Sequence, residues 1–208
     1  MSDIEKTLHE RAVLPVIIIR NEADAESLGR SLIAGGLPVC EITFRTDAAA
    51  AAIATLNSMP EMTVGAGTVL TTEQADTAID AGADFIVTPG FDQDIVRHCQ
   101  SRDFPIYPGV VTPTELTAAI NMGLSVLKVF PLAPLGGAAY LKAMTAPFSG
   151  MKYMPTGGLC EGDLAELLAM DSVLCCGGSW IAPPRLLESG DFDAITRMAR
   201  SAAAFSRD

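Results

Sequence analysis

The strongest constraint on the fold is a strict alternation of short apolar runs with longer Ala- and Leu-rich stretches along all 208 residues. Short apolar runs bounded by Gly, Pro or Asp are typical of buried strands, and the stretches between them have the length and composition of helices. We predict strands at Val13–Ile19, Pro38–Phe44, Met62–Thr68, Asp84–Thr88, Phe104–Tyr107, Ser125–Phe130, Lys152–Thr156 and Ser172–Cys176. The predicted helices are Ala23–Ala34, Asp47–Leu56, Thr72–Ala81, Gln93–Arg102, Pro113–Asn121, Gly137–Ala146, Glu161–Ala169 and Asp191–Phe205.

Eight strands and eight helices in this order predict an α/β protein in which one (β/α)8 TIM barrel domain spans residues 1–208. Residues 1–12 precede the first strand, and we expect them to form an N-terminal helical extension at the bottom of the barrel. The alternative is an open doubly wound sheet, which carries a glycine-rich turn after its first strand. Here Ile19 is followed by Arg20-Asn-Glu instead, so the barrel is the preferred fold.

Composition excludes several classes of partner and cofactor. The net charge of −11 argues against nucleic acid or an anionic membrane surface. No apolar run approaches the ~18 residues of a membrane span, and the first residues lack the apolar core of a secretion signal. The five cysteines show no Cys-x-x-Cys spacing, and no His, Cys and carboxylate cluster has metal-ligand spacing. We therefore expect a cytoplasmic protein without a metal.

One charged residue interrupts the sixth predicted strand. Lys128 lies between Leu127 and Val129, and it is one of four lysines in the chain. Removal from water disfavours an ammonium ion, and a lysine held as the free amine is a nucleophile that forms Schiff bases with carbonyl compounds. Alternatively, Lys128 pairs with a buried carboxylate or reaches solvent at the strand end. The strand by itself leaves both interpretations open.

The second predicted strand carries three polar residues on one side. Side chains alternate along a strand, so Glu41, Thr43 and Arg45 share a face, and the other face is apolar and suited to packing against helices. The polar face must then point into the barrel, where unpaired charge is costly. This pattern favours a functional site, and the alternative is a structural Glu–Arg pair across the barrel.

Further candidate residues follow the ends of other predicted strands, where barrel enzymes carry their active sites. Phe130 shares a face with the lysine, Thr68 is the last residue of the third predicted strand, and Pro89 lies in a rigid turn. The last two strands run into Pro155-Thr-Gly-Gly158 and Cys176-Gly-Gly-Ser179. Glycine pairs let backbone N–H groups approach an oxyanion, and these two loops are the usual phosphate site of the fold. The alternative is that both are ordinary turns.

Eight short motifs occur in the chain in a fixed order: Ala34-Gly-Gly36, Glu41-Ile-Thr-Phe-Arg-Thr46, Gly65-Ala-Gly-Thr-Val69, Thr88-Pro-Gly90, Pro108-Gly109, Lys128-Val-Phe-Pro131, Pro155-Thr-Gly-Gly158 and Cys176-Gly-Gly-Ser-Trp180. Together they resemble the 2-keto-3-deoxy-6-phosphogluconate (KDPG) and 4-hydroxy-2-oxoglutarate (KHG) aldolase family. The resemblance implies a cytoplasmic, usually trimeric class I aldolase that needs no metal or cofactor. Its substrate would be a phosphorylated 2-keto-3-deoxy acid, cleaved to pyruvate and glyceraldehyde 3-phosphate.

The resemblance also implies a role for each candidate residue. Lys128 would form the Schiff base, and Glu41 would be the general acid and base. Arg45 and Thr68 would bind the substrate carboxylate. The pyruvate pocket would be lined by Pro89 and Phe130, and the phosphate would be bound by Gly157, Gly158, Gly178 and Ser179.

Two loops at the mouth of the predicted barrel depart from the family pattern. Residues 132–137 read Leu-Ala-Pro-Leu-Gly-Gly where the family commonly has Ala-Glu-Ala-Asn, and residues 110–115 lack the frequent Ser/Thr-rich sequence. These loops bear on the aldehyde half of the substrate, so a galactonate-type aldolase is one alternative. The others are a phosphosugar isomerase or synthase that forms no imine, and a non-catalytic sugar-phosphate-binding protein. A reactive inward amine disfavours the last.

Overall fold

The computed structural model describes residues 1–207, in which parallel strands alternate with helices. The strands are β1 (Val13–Ile17), β2 (Val39–Thr43), β3 (Thr63–Gly67), β4 (Phe85–Val87), β5 (Ile106–Tyr107), β6 (Gly109–Val110), β7 (Val126–Val129), β8 (Lys152–Pro155) and β9 (Cys176–Gly178). The α-helices are α1 (Asp3–Arg11), α2 (Ala25–Ala34), α3 (Ala49–Asn57), α4 (Thr72–Asp80), α5 (Gln93–Ser101), α6 (Pro113–Asn121), α7 (Gly137–Thr145), α8 (Leu164–Leu168), α9 (Pro184–Glu188) and α10 (Phe192–Ala203). Short 3-10 helices occupy Glu22–Asp24, Ala133–Leu135 and Glu161–Asp163.

The strands belong to two parallel sheets. Six pair in the order β5-β4-β3-β2-β1-β9, and three pair in the order β6-β7-β8. Only Pro108 separates β5 from β6, and Thr156, just after β8, pairs with Gly177 of β9. The six-stranded sheet is therefore curled so that both of its edges adjoin the smaller sheet. The predicted α/β class and parallel sheet are confirmed, but the predicted strand Phe104–Tyr107 is shortened to Ile106–Tyr107, and β6, which follows Pro108, was not predicted.

The last strand lies further along the chain than the sequence pattern predicts. Within the predicted run Ser172–Cys176, Val173 makes one isolated bridge to Tyr153, and the paired strand is Cys176–Gly178. The prediction followed the apolar residues, whereas glycine is depleted in strands and gives no such signal. The correction matters because Gly177 and Gly178 are strand residues rather than parts of the turn that follows.

Helix starts are encoded locally and position the loops near the strand ends. At α6 the Glu115 carboxylate accepts the Thr112 backbone N–H at 2.8 Å while the Thr112 hydroxyl accepts the Glu115 N–H, which is a capping box. The same arrangement joins Ser2 and Glu5 at α1, the helix that precedes the first strand. A further helix, α9, was not predicted, and it is the next element after the last strand.

One continuous apolar core lies between the sheets and the helices, and it includes the buried Leu8 of α1. The longest α-helix is α10, with 12 residues. Among residues 1–207, none of the helices combines the length and apolarity needed to cross a bilayer.

Candidate active site

Lys128 and Glu41 meet inside the molecule. They lie on β7 and β2, and the Lys128 Nζ atom is 3.2 Å from Glu41 Oε1. Their side chains are 6% and 1% exposed. The alternative in which Lys128 pairs with a buried carboxylate is thus confirmed. The partner is the other predicted catalytic residue, so the pairing brings an amine and a proton-exchanging group together.

The packing around this pair restricts the position of both groups. A Cβ atom on Gly67 of β3 would lie 2.1 Å from Glu41 Oε1, so the carboxylate rests against backbone that has no side chain. On the other side, Lys128 lies opposite Gly109 and Met154 in the neighbouring strands. The Lys128 Nζ is also 5.4 Å from the centre of the Phe130 ring, within the range of a cation–π contact.

A cavity of about 190 Å³ opens at the carboxyl ends of the strands. Thr43 and Phe130, which line it, lie two residues beyond Glu41 and Lys128 on the same strand faces. The pair is therefore one inward-facing layer below the cavity. Six of the residues that line the cavity are candidate residues identified from the strand faces and strand ends of the sequence, namely Thr43, Arg45, Phe130, Gly157, Gly158 and Ser179.

Arg45 and the glycine pair Gly157-Gly158 lie at the rim of the cavity. Arg45 is exposed, and within residues 1–207 it makes no ion pair, so the alternative of a structural Glu–Arg pair across the barrel is not observed. Gly157 and Gly158 have φ angles of +98° and +76°. Glycine adopts such angles without strain, which explains why two glycines occupy this turn.

Gly178 does not line the cavity, although the sequence predicted it in the phosphate site. A Cβ atom there would lie 2.6 Å from the Trp180 ring, so this glycine makes room for the indole. The neighbouring Gly177 lines the cavity instead, together with Thr156, whose Oγ1 would be 2.3 Å from a Cβ atom on Gly177. The sequence prediction did not include Gly177 because the last strand was ended at Cys176, and Thr156 was predicted as a strand residue without a role in the site.

Thr68 and Pro89 follow β3 and β4 at the same end of the sheet but do not line this cavity. Thr68 has a φ of +56°, which is rare for a β-branched residue and costs about 1–3 kcal/mol. The Pro89 carbonyl oxygen would be 2.2 Å from a Cβ atom on Gly109, the residue opposite Lys128. Both residues therefore lie near the Lys128–Glu41 pair at the carboxyl ends of the strands, outside the lining of the open cavity.

Other nucleophiles and metal ligands do not compete at this site. Burial raises the pKa of the Cys176 thiol to about 12 and that of Cys175 well above its ordinary value, so both stay protonated. His98 is partly buried, and its Nε2 atom lies 2.7 Å from Asp76 Oδ1 on the neighbouring helix. Within the part of the chain that the structure describes, no cluster of His, Cys, Asp and Glu could hold a metal ion.

Parallel strands whose carboxyl ends surround a cavity, with a buried lysine and carboxylate beneath it, define a protein built for carbonyl chemistry through an imine. The model of the KDPG and KHG aldolase family matches residues 4–198. The chain belongs to this family.

Relatives and solved structures match this chain over almost its whole length. The 2-dehydro-3-deoxy-phosphogluconate aldolase of Treponema pallidum is 42% identical over 201 residues, 96% of each chain. The KHG/KDPG aldolase of Escherichia coli K12 is 40% identical over 95% of this chain and 93% of its own. A KDPG aldolase structure from Legionella pneumophila, with pyruvate captured as a covalent carbinolamine, superposes with a TM-score of 0.91 at 35% identity and 99% coverage of both chains.

Proposed function

We propose that the protein is a class I aldolase that cleaves 2-dehydro-3-deoxy-6-phosphogluconate to pyruvate and glyceraldehyde 3-phosphate. It would also cleave 4-hydroxy-2-oxoglutarate to pyruvate and glyoxylate. The observation that carries this proposal is the buried Lys128–Glu41 pair, with 3.2 Å between Nζ and Oε1, directly beneath a cavity. Family membership and the activities of the Treponema pallidum and Escherichia coli relatives support the same conclusion.

The pair supplies both groups that imine chemistry needs. Once Glu41 holds the proton, the free amine of Lys128 attacks the C2 ketone to give a carbinolamine. Glu41 then donates its proton to the carbinolamine hydroxyl, which leaves as water, so that an iminium ion and an ionised Glu41 remain. Glu41 then takes the proton of the C4 hydroxyl as the C3–C4 bond breaks. The electron pair of that bond passes through C3 and C2 to the iminium nitrogen, forming an enamine and a free aldehyde. Protonation at C3 and addition of water release pyruvate and restore the lysine.

The remaining site residues are proposed to hold the two ends of the substrate. Arg45 and Thr68 would bind the carboxylate, and Pro89 and Phe130 would border the pyruvate half. The exposed, unpaired guanidinium of Arg45 at the cavity rim supports an anion there. The phosphate would be bound by Gly157, Gly158, Gly178 and Ser179, and the positive φ angles of the first two support this role.

We further propose that the two sheets are parts of one closed eight-stranded barrel, a single domain over residues 1–208, with α1 as its N-terminal extension. The continuity of β5 with β6 through Pro108 and the Thr156–Gly177 bridge support closure. The active protein would be a cytoplasmic homotrimer that uses no cofactor and binds neither nucleic acid nor membrane. Sedimentation of the purified protein would test the trimer.

Trapping of the imine tests the mechanism. Incubation with pyruvate and borohydride is expected to add a reduced pyruvyl group to Lys128, detected by mass spectrometry of peptides. Lys128→Ala should lose both the adduct and aldol cleavage, whereas Lys142→Ala, which alters an exposed lysine, should keep both. An unmodified wild-type protein, or cleavage by Lys128→Ala, would refute the mechanism.

A comparison of substrates tests the choice between sugar acids. We expect kcat/KM to be highest for the gluconate-type phosphorylated acid, lower for hydroxyoxoglutarate and lowest for the galactonate-type epimer. The galactonate-type enzyme is the alternative because residues 110–115 and 132–137 depart from the family pattern at the mouth of the cavity. A higher kcat/KM for the galactonate-type acid would replace the proposed substrate without changing the mechanism.

A further inference from the structure

Two short motifs, Thr88-Pro-Gly90 and Pro108-Gly109, contribute only Pro89 to the proposed mechanism. The first follows β4, and the second leads into β6, where Gly109 lies opposite Lys128 of β7. Residues in register on parallel strands direct their side chains to the same face of the sheet. A side chain at Gly109 would therefore project into the barrel beside that of Lys128.

The main chain of the loop after β4 fills the space that such a side chain would need. A Cβ atom on Gly109 would lie 2.2 Å from the Pro89 carbonyl oxygen and 2.5 Å from the carbonyl carbon. Because neighbouring strands are about 4.8 Å apart, this carbonyl group lies beside the Lys128 side chain, on the inner face. In an imine on Lys128, the C2 and C3 atoms of the keto acid are the first carbon atoms beyond Nζ. The position of Pro89 thus supports its proposed place at the pyruvate half.

Thr88 holds the same loop from the side of β4. It is a buried polar residue, 2% exposed, and its Oγ1 atom donates a hydrogen bond to the Gly90 carbonyl at 2.6 Å. Hydrogen bonds from a hydroxyl group to the main chain two residues further on stabilise turns of this kind. The bond spans Pro89, so it restricts how far the proline can move relative to β4.

We propose that Thr88 and Gly109 are positioning residues that hold Pro89 beside Lys128 and thereby limit the keto acid that forms the imine to the size of pyruvate. Gly109 permits the close approach of the loop to β6, and Thr88 fixes the loop there. This inference rests on the proposed function and adds the origin of its selectivity for the pyruvate half. It assigns neither Thr88 nor Gly109 a contact with the substrate.

Substitutions at the two positions are expected to change selectivity in opposite directions. Gly109→Ala should push Pro89 away from β6 and further into the barrel, because the obstructing atoms belong to the main chain and cannot rotate aside. The space beside Lys128 then narrows. Thr88→Val keeps the shape of the side chain but removes the hydrogen bond, so the loop loosens and the space widens. Thr88→Ser keeps the hydroxyl group.

Borohydride trapping with pyruvate and with 2-oxobutanoate, which has one more methylene group, measures this selectivity. The ratio of the two trapping rates, taken well below saturation, does not depend on the fraction of folded protein. One methylene group in a close-fitting pocket changes selectivity about 10–200-fold. We therefore expect the pyruvate-to-2-oxobutanoate ratio to fall about tenfold in Thr88→Val and to rise about tenfold in Gly109→Ala, where trapping of pyruvate also slows. Thr88→Ser should recover the wild-type ratio.

Two control variants separate this role from general packing. Thr145→Val removes a similar bond, from a buried threonine on α7 to the Leu141 carbonyl at 2.7 Å. Gly162→Ala adds a Cβ atom whose nearest neighbour is the Cys160 Sγ atom at 3.7 Å. Both should keep the wild-type ratio.

An unchanged ratio in Thr88→Val would overturn the proposal, whether or not Gly109→Ala yields folded protein. A fall of the ratio in Gly109→Ala, or the same change in Thr145→Val as in Thr88→Val, would also overturn it. A wild-type protein that borohydride traps with neither keto acid would refute the proposed function itself, and this outcome is distinct from any change in the ratio.

Discussion

The position of Glu41 depends on a residue that has no side chain. Gly67 lies on β3 next to β2, and the space that its Cβ atom would fill is occupied by the Glu41 carboxylate. The inner face of a barrel can hold a long acidic side chain only where a neighbouring strand leaves room, since interiors are close-packed. The Gly65-Ala-Gly67 sequence at the end of β3 is therefore part of the site, although neither glycine needs to touch substrate.

Gly67→Ala is expected to displace the Glu41 carboxylate. The added Cβ atom would lie 2.1 Å from Oε1, and overpacking of this kind costs about 1–3 kcal/mol. Misplacement of a proton-transferring group by about 1 Å lowers kcat about 10²-fold. Gly90→Ala is the matched control, because nothing lies within 4 Å of its added Cβ. Wild-type kcat in Gly67→Ala would mean that the carboxylate position is not critical.

Glu41→Gln tests the proton-transfer role directly. The amide keeps the size of the side chain but cannot take a proton from the C4 hydroxyl, so kcat should fall about 10²–10⁴-fold. Binding of pyruvate should weaken much less, and steady-state kinetics beside a pyruvate titration would separate the two effects. Equal losses in both measurements would assign Glu41 to binding rather than to catalysis.

At the level of elements, the start of α6 is held by a carboxylate that also reaches the preceding loop. Glu115 Oε2 accepts the backbone N–H groups of Val111 and Thr112, each at 2.8 Å. Burial opposes ionisation of this carboxyl, but the hydrogen bonds outweigh burial and lower its pKa. The same loop is tied to α7, because the Tyr140 hydroxyl donates to the Val111 carbonyl. The departure of residues 110–115 from the family pattern thus still yields a fixed loop.

The contribution of this cap to the free energy of unfolding is expected to depend on pH. A carboxyl with a lowered folded pKa stabilises the protein above the ordinary glutamate pKa of 4.5 and stops doing so as the pH falls through the folded value. Glu115→Ala should therefore lower the free energy of unfolding by about 1 kcal/mol at neutral pH, and the difference should shrink as the pH falls below 4.5 and through the lowered folded pKa. Denaturant titrations across this range would measure it. Glu61→Ala, at an exposed glutamate, should show no such trend.

The composition of individual strands explains which parts of the fold and site could be predicted from the sequence. Long apolar runs such as those of β1, β2 and β7 identified their strands within two residues, and period-two alternation placed Glu41 and Lys128 on inner faces. Alternation along single strands cannot say which strands face each other, so the pairing of these two side chains required the fold. The Cys176–Gly178 strand was missed because glycines carry no hydrophobic signal, and with it the place of Gly177 on the cavity.

At the scale of the whole molecule, stability and activity are separated between the two ends of the strands. The cavity and its candidate residues lie at the carboxyl ends, whereas α1 precedes β1 and packs its Leu8 side chain into the core. Enzymes built on parallel strands and helices keep this division, with chemistry at one end and stabilising contacts at the other. Changes in α1 should therefore affect the free energy of unfolding without affecting the chemistry of the site.

Leu8→Ala tests this division. The Leu8 side chain is 1% exposed, and its truncation should cost about 2–5 kcal/mol of stability through lost burial and a new cavity. Because Lys128 and Glu41 do not depend on α1 for their contacts, kcat of the folded variant and its trapping by pyruvate and borohydride should match wild type. Leu135→Ala is the control for stability, since Leu135 is 40% exposed and its truncation should shift the unfolding midpoint little. If kcat of Leu8→Ala fell in proportion to stability, measured well below its unfolding midpoint, the two ends would be coupled through the strands.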